Sequence, residues 1–166
     1  MGSTQTTAAV AQSDFAVEVS TDGVTWTAIC GEVTAVAISG GEQSSGEIMT
    51  ACGEFAIVKG SNKISPYDIV VTAVYTETAS TEAFDLVHDR FQGTAKTLGV
   101  RWAPKGGITT VVGNKVFNTS NSGTAVGLVP IVRCLPPAED ASSANPATFE
   151  FAVKSPAIYE TASATS

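Results

Sequence analysis

A single histidine, His88, and three cysteines, Cys30, Cys52 and Cys134, are all the soft ligand chemistry in this chain of 166 residues. One histidine cannot build a histidine-rich metal site within one chain. An odd number of cysteines with no CxxC pair indicates neither a disulfide framework nor a zinc site. Cys30 and Cys134 fall in strand-like segments and read as buried free thiols. Cationic residues are scarce too: 9 Lys and Arg stand against 16 Asp and Glu, a net charge of −7. Nucleic-acid affinity comes mostly from neutralising phosphates with a basic patch, so this balance argues against a DNA- or RNA-binding module. It leaves room for a surface that DNA passes without sticking. No apolar run approaches the length of a membrane span. The stretch "MGSTQTTAAVAQSD" has no basic region followed by an apolar one, so no secretory signal is read there, and folding in a cytoplasm is expected.

Catalytic constellations are equally thin. His88 lies on a helical segment near Asp85 and Asp89 and reads as an ordinary helix histidine rather than a general base. No serine sits in a GxSxG frame. "GGEQSSG" has glycines at a phosphate-loop-like spacing but lacks the lysine that would meet phosphate. Glu32, Glu42, Glu47 and Glu54 surround one long polar stretch, and paired carboxylates can hydrolyse glycosides. Such carboxylates need an apolar or aromatic cleft, and this stretch has no aromatic residue before Phe55. No enzyme, cofactor or metal is indicated.

What the chain does have is alternation. Hydrophobic residues make up 43% and charged residues 15%, enough to fill one core while leaving a lightly charged surface suited to self-contact. Residues 1–13 are small and polar and read as a flexible arm. From Asp14 onward, Phe15, Val17 and Val19 face one way and Asp14, Ala16 and Glu18 the other. "TDGV" supplies an Asp-Gly turn, and Val24, Trp26, Ala28 and Cys30 form a return strand. Further strands are expected over Glu32–Ile38, Glu54–Lys59, "YDIVVTAVYTE", "LGVRWAP", "AVGLVPIVRC" and "TFEFAVK". "SNKISP" and "GNKVFNTSNSG" read as loops, and "ITTVV" as a short strand. The segment "YDIVVTAVYTE" has β-branched residues on both faces, which predicts a strand covered on both sides. Pro130 predicts an edge or a bulge. The period changes once: Ala83, Phe84, Val87 and Phe91 recur at helical spacing, giving one helix over about 81–92, capped by Ser80 or Thr81 and closed by Gly93. The expected fold is mainly β, a sandwich or barrel with one flanking α-helix. It forms one domain over 14–160, with a long loop over 39–53 and a flexible tail over 161–166.

Four segments, in order, resemble the major tail protein, or tail tube protein, of long-tailed (siphovirus-like) bacteriophages. They are "VTAVAISGGEQSSGEIMTACGEFAIVKG", "SPYDIVVTAVYTE" leading into "EAFDLVHDRFQ", "VRWAPKGG", and a proline-rich loop ending in "NPATFEFAVKSPAI". The resemblance covers roughly Asp14 to Ile158. The resemblance implies a structural virion protein, assembled in the host cytoplasm, whose rings of six copies stack into a tube for genome ejection. The inner strands would join into one continuous barrel around the lumen, and the helix would lie outside. Partners would be further copies of the chain and other tail proteins at the tube ends. DNA would pass through the lumen without specific binding, and no membrane would be involved. The resemblance also implies that a loop between two early strands reaches the neighbouring ring. Gly40, Gly41, Glu42, Gln43, Ser44, Ser45, Gly46 and Glu47 are the candidate residues for that contact. An acidic lining keeps counterions on the phosphates of a sliding duplex, which makes Glu32, Glu54, Asp68 and Glu150 the candidates for the lumen. Two other readings stand beside this one: an Ig-like surface or adhesion binding domain, and another tube or collar component of a virion or secretion machine.

Overall fold

The computed structural model describes residues 14–29, 31–77, 82–108, 114–119 and 127–162. Within them the chain forms two antiparallel sheets, a separate two-stranded ribbon and one helix. The first sheet holds β1 (Ala16–Ser20), β2 (Thr27–Ala28), β7 (Thr97–Ala103), β8 (Lys115–Asn118) and β11 (Tyr159–Ala162). The second holds β3 (Val33–Gly40), β6 (Tyr67–Val74), β9 (Val129–Leu135) and β10 (Thr148–Ser155), ordered β9-β10-β6-β3. The two sheets meet at a corner, where Thr97 and Leu98 of β7 pair with Pro130 and Val129 of β9. The rest of β7 pairs with β1 and β8.

Alternation builds the core between the sheets. Val17 and Val19 of β1, with Leu98, Val100 and Trp102 of β7, turn inward from one sheet. Ile69, Val71 and Ala73 of β6, with Phe149, Phe151 and Val153 of β10, turn inward from the other. Each strand thus presents every second residue to the core, as the pleat requires. Glu150 and Lys154 point outward, as the pattern predicts.

The helix α1 (Ala83–Gln92) packs against β7 and β9 and buries Ala83 and Val87. Phe84 meets Tyr75 and Phe149 edge-on at 5.0 and 5.1 Å between ring centroids. Its start has no side-chain cap from Glu82. Instead the Ala83 N–H donates to Glu32 Oε2 at 3.0 Å, from a residue 51 positions earlier. A carboxylate there answers both an orphan donor and the positive end of the helix dipole. Arg90 in the last turn donates to the Thr97 carbonyl (2.9 Å) and the Thr21 carbonyl (2.8 Å), tying the helix to β7 and to the loop after β1. The Gly93 N–H closes the helix on the Asp89 carbonyl with ordinary negative φ. The expected caps Ser80 and Thr81 lie outside the described residues.

Several sequence expectations change. The return strand after "TDGV" shrinks to Thr27–Ala28 because Asp22 organises a wider loop. Its Oδ1 accepts from the Val24 and Thr25 N–H groups (2.8 and 2.7 Å) and from Ser20 Oγ (3.0 Å). Those bonds hold its carboxyl far below the usual range. Cys30 lies outside the described residues; Cys134 is buried, and burial raises its thiol pKa. "GNKVFNTSNSG" contains β8, which pairs with β7 and β11. β11 carries the first sheet past the expected boundary at residue 160. Of "ITTVV", only Ile108 is described, and it is buried. The outer side of β6 is only half-buried, since small Ala35, Ala37 and Ala152 on the flanking strands leave Val70 and Thr72 in partial contact with solvent.

Candidate functional site

Residues 39–53 are not an irregular loop. β3 runs to Gly40, β4 covers Gln43–Ile48, and β4 pairs with β5 (Ile57–Ile64) in a separate two-stranded ribbon. Part of "SNKISP", expected as a loop, therefore belongs to β5. Two glycines make the root. Gly40 and Gly41 both have positive φ, +82° and +71°. A Cβ on Gly40 would lie 2.2 Å from the Pro66 carbonyl oxygen, and one on Gly41 2.1 Å from the Tyr67 ring. Only glycine fits this turn. Beyond it the Ser65 N–H donates to the Glu42 carbonyl (2.9 Å), and the Glu42 N–H to Ser65 Oγ (3.0 Å). The register then shifts between Gln43 and Ser45, a bulge that bends the ribbon and re-aims its tip.

The ribbon stands in solvent. All of β4 is exposed, and so is all of β5 except Ser61. Ile48 pairs with Ile57, and Lys59 lies two residues further along on the same face. Val58 and Glu47 occupy the other face. Phe55 near the tip is 83% exposed, and Ile48, Met49, Ile57, Val58 and Ile64 are 51–65% exposed. Six large apolar side chains on an isolated ribbon call for a partner. Of the contact residues expected from sequence, Gly40, Gly41 and Glu42 shape the root, while Gln43, Ser44, Ser45, Gly46 and Glu47 lie along exposed β4. The apolar residues were the part that sequence reasoning missed. Their signal is "EIMTACGEFAIV", too apolar for a solvated loop and too irregular to fill a core strand.

A second surface is the outer face of the β9-β10-β6-β3 sheet. Register sets its residues in rows: Ser39, Asp68 and Lys154; then Ala37, Val70, Ala152 and Arg133; then Ala35, Thr72, Glu150 and Leu135. Asp68 pairs with Lys154 at 3.3 Å, and Glu150 pairs with Arg133. Of the four acids singled out from sequence, the structure brings only Asp68 and Glu150 together on this face. Glu32 turns to the helix N-terminus, and Glu54 lies at the ribbon tip.

Both margins of that sheet are open. Among the described residues β3 pairs with β6 alone; β9 meets β7 through Val129 and Pro130, and the Ile131 N–H donates to the Lys96 carbonyl (2.9 Å), so only its last part, Val132 to Leu135, has β10 as its single partner strand. Unpaired strand edges are templates for another chain. Pro130 lies opposite Thr97 where β9 meets β7, and the bulge expected near it falls between Ile131 and Arg133, where the register against β10 shifts. His88, for its part, stacks on Phe84 at 4.9 Å and 18°.

No protein-family model matches the chain, and no curated protein matches it. Solved structures do. The chain is similar to one in the anti-feeding prophage cap, which terminates the tube, with TM-score 0.61 and 13% identity over 98% of this chain and 97% of that one. It is similar to one in the extended sheath–tube complex of an extracellular contractile injection system, with TM-score 0.58 and 16% identity over 96% and 99%. It is also similar to one in the tail of an empty gene transfer agent particle, with TM-score 0.56 and 18% identity over 94% and 100%. Near-complete coverage on both sides means that the whole architecture is shared with components of tail-like assemblies.

Proposed function

We propose that the chain is the repeating subunit of a tail tube. Six copies close into a ring when the free edge of β3 in one copy pairs with the free edge of β9 in the next. The four-stranded sheet then faces the lumen, the helix faces outward, and the β4–β5 ribbon reaches the adjacent ring. The role is structural, and DNA passes through the lumen without specific binding. Other tail proteins meet the tube at its ends, and the site of action is the virion tail.

The observation that carries this reading is the four-stranded sheet whose β3 margin, and whose β9 margin beyond Ile131, have no partner strand among the described residues. Closure in a ring removes both edges at once. Six such sheets, with strands about 4.8 Å apart and tilted by about 40°, make a barrel roughly 45–50 Å across between backbones. That leaves room for a duplex after side chains are placed. Six-fold symmetry is also the symmetry named for the gene transfer agent tail and for the anti-feeding prophage baseplate. Sheathed injection systems and gene transfer agents share the fold, so the fold supports the tube role. The narrower assignment to long, non-contractile phage tails rests on the ordered sequence segments.

A tube-terminating cap is the nearest competing reading, because a cap chain shares the fold. The exposed apolar ribbon favours a subunit that stacks on its own kind. Negative-stain electron microscopy of the purified protein distinguishes the two. Stacked rings or tubes are expected at high concentration. A persistent monomer, or single rings that never stack, refutes the proposal.

A further inference from the structure

The second sheet has two ends of opposite chemistry near it. At one end Val74 of β6 pairs with Thr148 of β10, and Leu135 of β9 pairs with Glu150. Tyr75 and Glu77 follow β6 there, Glu139 follows β9, and α1 begins beside them. The half-buried rings of Tyr75, Phe84 and His88 form a row. Tyr75 meets Phe84 edge-on at 5.0 Å, and Phe84 stacks on His88 at 4.9 Å. Carboxylates edge the row. Glu77 Oε1 accepts from the Tyr75 hydroxyl at 2.9 Å. That bond, partial desolvation and the charges of Glu77, Asp85 and Glu139 raise the pKa of the phenol, so all three carboxylates act on it. None of the three has an ion pair among the described residues, whose four ion pairs use Glu18, Asp68, Glu150 and Glu160 instead.

The opposite end presents a cation. Trp102 lines one groove with Ile38 and Tyr67, so β7 finishes at the end where β3 finishes and β6 begins. The eight residues of β6 put the two ends roughly 25 Å apart. Just beyond β7, residues 104–107 make a tight turn. The Gly106 N–H donates to the Ala103 carbonyl (3.0 Å), Gly106 and Gly107 have φ of +69° and +63°, and Asn114 Nδ2 donates to the Gly106 carbonyl (2.9 Å). Lys105 stands exposed on this braced turn. Of the nine Lys and Arg residues, four are in the ion pairs, Arg90 binds two carbonyls, and Lys96 lies over the Phe91 ring. Lys59 and Lys63 ride on the lone ribbon. Among the described residues, Lys105 is thus the cation without a carboxylate that a fixed turn presents.

We infer that Lys105 of one copy docks on the acid-edged aromatic row of a copy in the adjacent ring, an inference that rests on the tube reading above. In that reading the second sheet lines the lumen, so the two ends of its strands form the two faces of the ring. Stacking brings each face against the opposite face of the next ring, and so brings Lys105 towards the row. An ammonium is attracted both to the face of an aromatic ring and to carboxylates beside it. A braced turn loses little backbone freedom on docking. Exposed charge pairs are weak singly, but copies of the contact act together around a ring. The contact is heterologous and propagates in one direction. It leaves a cationic turn free at one end of the stack and an acidic row free at the other.

The test uses the full-length chain and reads the concentration at which tubes form, by sedimentation and negative-stain microscopy, with circular dichroism checking the fold. Lys105→Glu is expected to raise that concentration by about tenfold or more. Lys105→Gln, which only removes the charge, is expected to raise it by less, and it decides the matter if reversal disturbs the fold. Glu77 and Glu139 are exposed and lie outside the strands and the helix. Glu77→Lys together with Glu139→Lys therefore reverses the charge of the row without touching the core, and the same loss is expected. All three reversals in one chain restore opposite charges and should bring tube formation back to within about threefold of wild type, as a coupled pair requires. Unimpaired tubes from Lys105→Glu overturn the inference. A combined variant no better than its parents overturns it as well. Equal rescue of Lys63→Glu by the reversed acids assigns the row to the ribbon and overturns it too. A wild-type protein that never forms tubes refutes instead the tube reading on which the inference rests.

Discussion

Replacing Gln43–Ile64 with Asn-Gly removes the whole ribbon at a point where the chain already meets itself. The Ser65 N–H and the Glu42 carbonyl are 2.9 Å apart, so a two-residue turn can join the flanking residues without moving them. The apolar side chains that are lost keep at least half of their surface in water. Their combined burial contributes only about 4 kcal/mol to folding, less than the conformational entropy of ordering roughly twenty residues. A lone two-stranded ribbon is marginal in water for this reason. Closing a much shorter loop recovers about 2 kcal/mol. The excised chain should therefore unfold with a free energy equal to that of the full chain or up to about 2 kcal/mol higher, and its Tm should shift upward by no more than about 8 °C. Urea titration below the assembly concentration measures the first, and calorimetry the second. Tube formation, followed by sedimentation and microscopy, should be lost. Destabilisation by more than about 3 kcal/mol would mean that the ribbon is part of the folding unit. Normal tubes would mean that it has no part in stacking. A shorter deletion, Gly41–Thr50, removes one ribbon strand and leaves β5 unpaired, so it confounds the two effects.

Three further substitutions probe the supports of this architecture. Gly41→Ala forces an alanine into left-handed backbone against the Tyr67 ring and should cost about 1–3 kcal/mol in urea titrations, whereas Gly46→Ala, with open space around it, should be near neutral. Glu32→Ala removes the acceptor for the Ala83 N–H and the negative charge at the helix start; a loss of about 1–2 kcal/mol is expected, and an unchanged stability refutes the capping role. Asp22→Ala should lower Tm at neutral pH. Because hydrogen bonds depress the folded pKa of Asp22, its ionised form stabilises the protein above the unfolded value near 4, and this contribution fades as pH falls below it. The Tm gap between wild type and variant should therefore narrow in acid, and a gap that widens there contradicts the assignment.

The parts legible in the sequence are those where burial enforces a period. β6 and β10 alternate because Ile69, Val71, Phe149, Phe151 and Val153 must all reach one core. The helix shows for the same reason, through Ala83 and Val87. β4 carries no such imprint, because every one of its residues is exposed and nothing forces alternation on "QSSGEI". β8 is four residues long in a turn-rich run, and its conformation comes from its neighbours β7 and β11. The acids illustrate the same limit. Asp68 and Glu150 share a face because β6 and β10 are in register, a relation between residues about eighty positions apart that no local pattern encodes. Glu32 belongs to the helix start, 51 positions away.

That register also changes the electrostatic argument for the proposed lumen. The acidity of the chain invites the expectation of a negative lining, yet the outer face of the four-stranded sheet carries its acids as pairs, Asp68 with Lys154 and Glu150 with Arg133. Exposed pairs of this kind contribute little to folding, typically under about 1 kcal/mol each, so stability is a poor reason for their placement. Their effect on the field is larger. Opposite charges a few ångströms apart make dipoles, and salt with a Debye length of about 8 Å screens what remains over a short distance. A duplex near the axis of such a channel meets a surface that neither attracts nor repels it strongly. An unpaired base would hold a phosphate by releasing counterions, and that hold would repeat in every ring. An unpaired acid would make the potential in such a channel more negative and so raise the energy of a polyanion entering it. In the proposed tube pairing would avoid both, so low friction would follow from local charge compensation on β6, β9 and β10 rather than from the net charge of the chain.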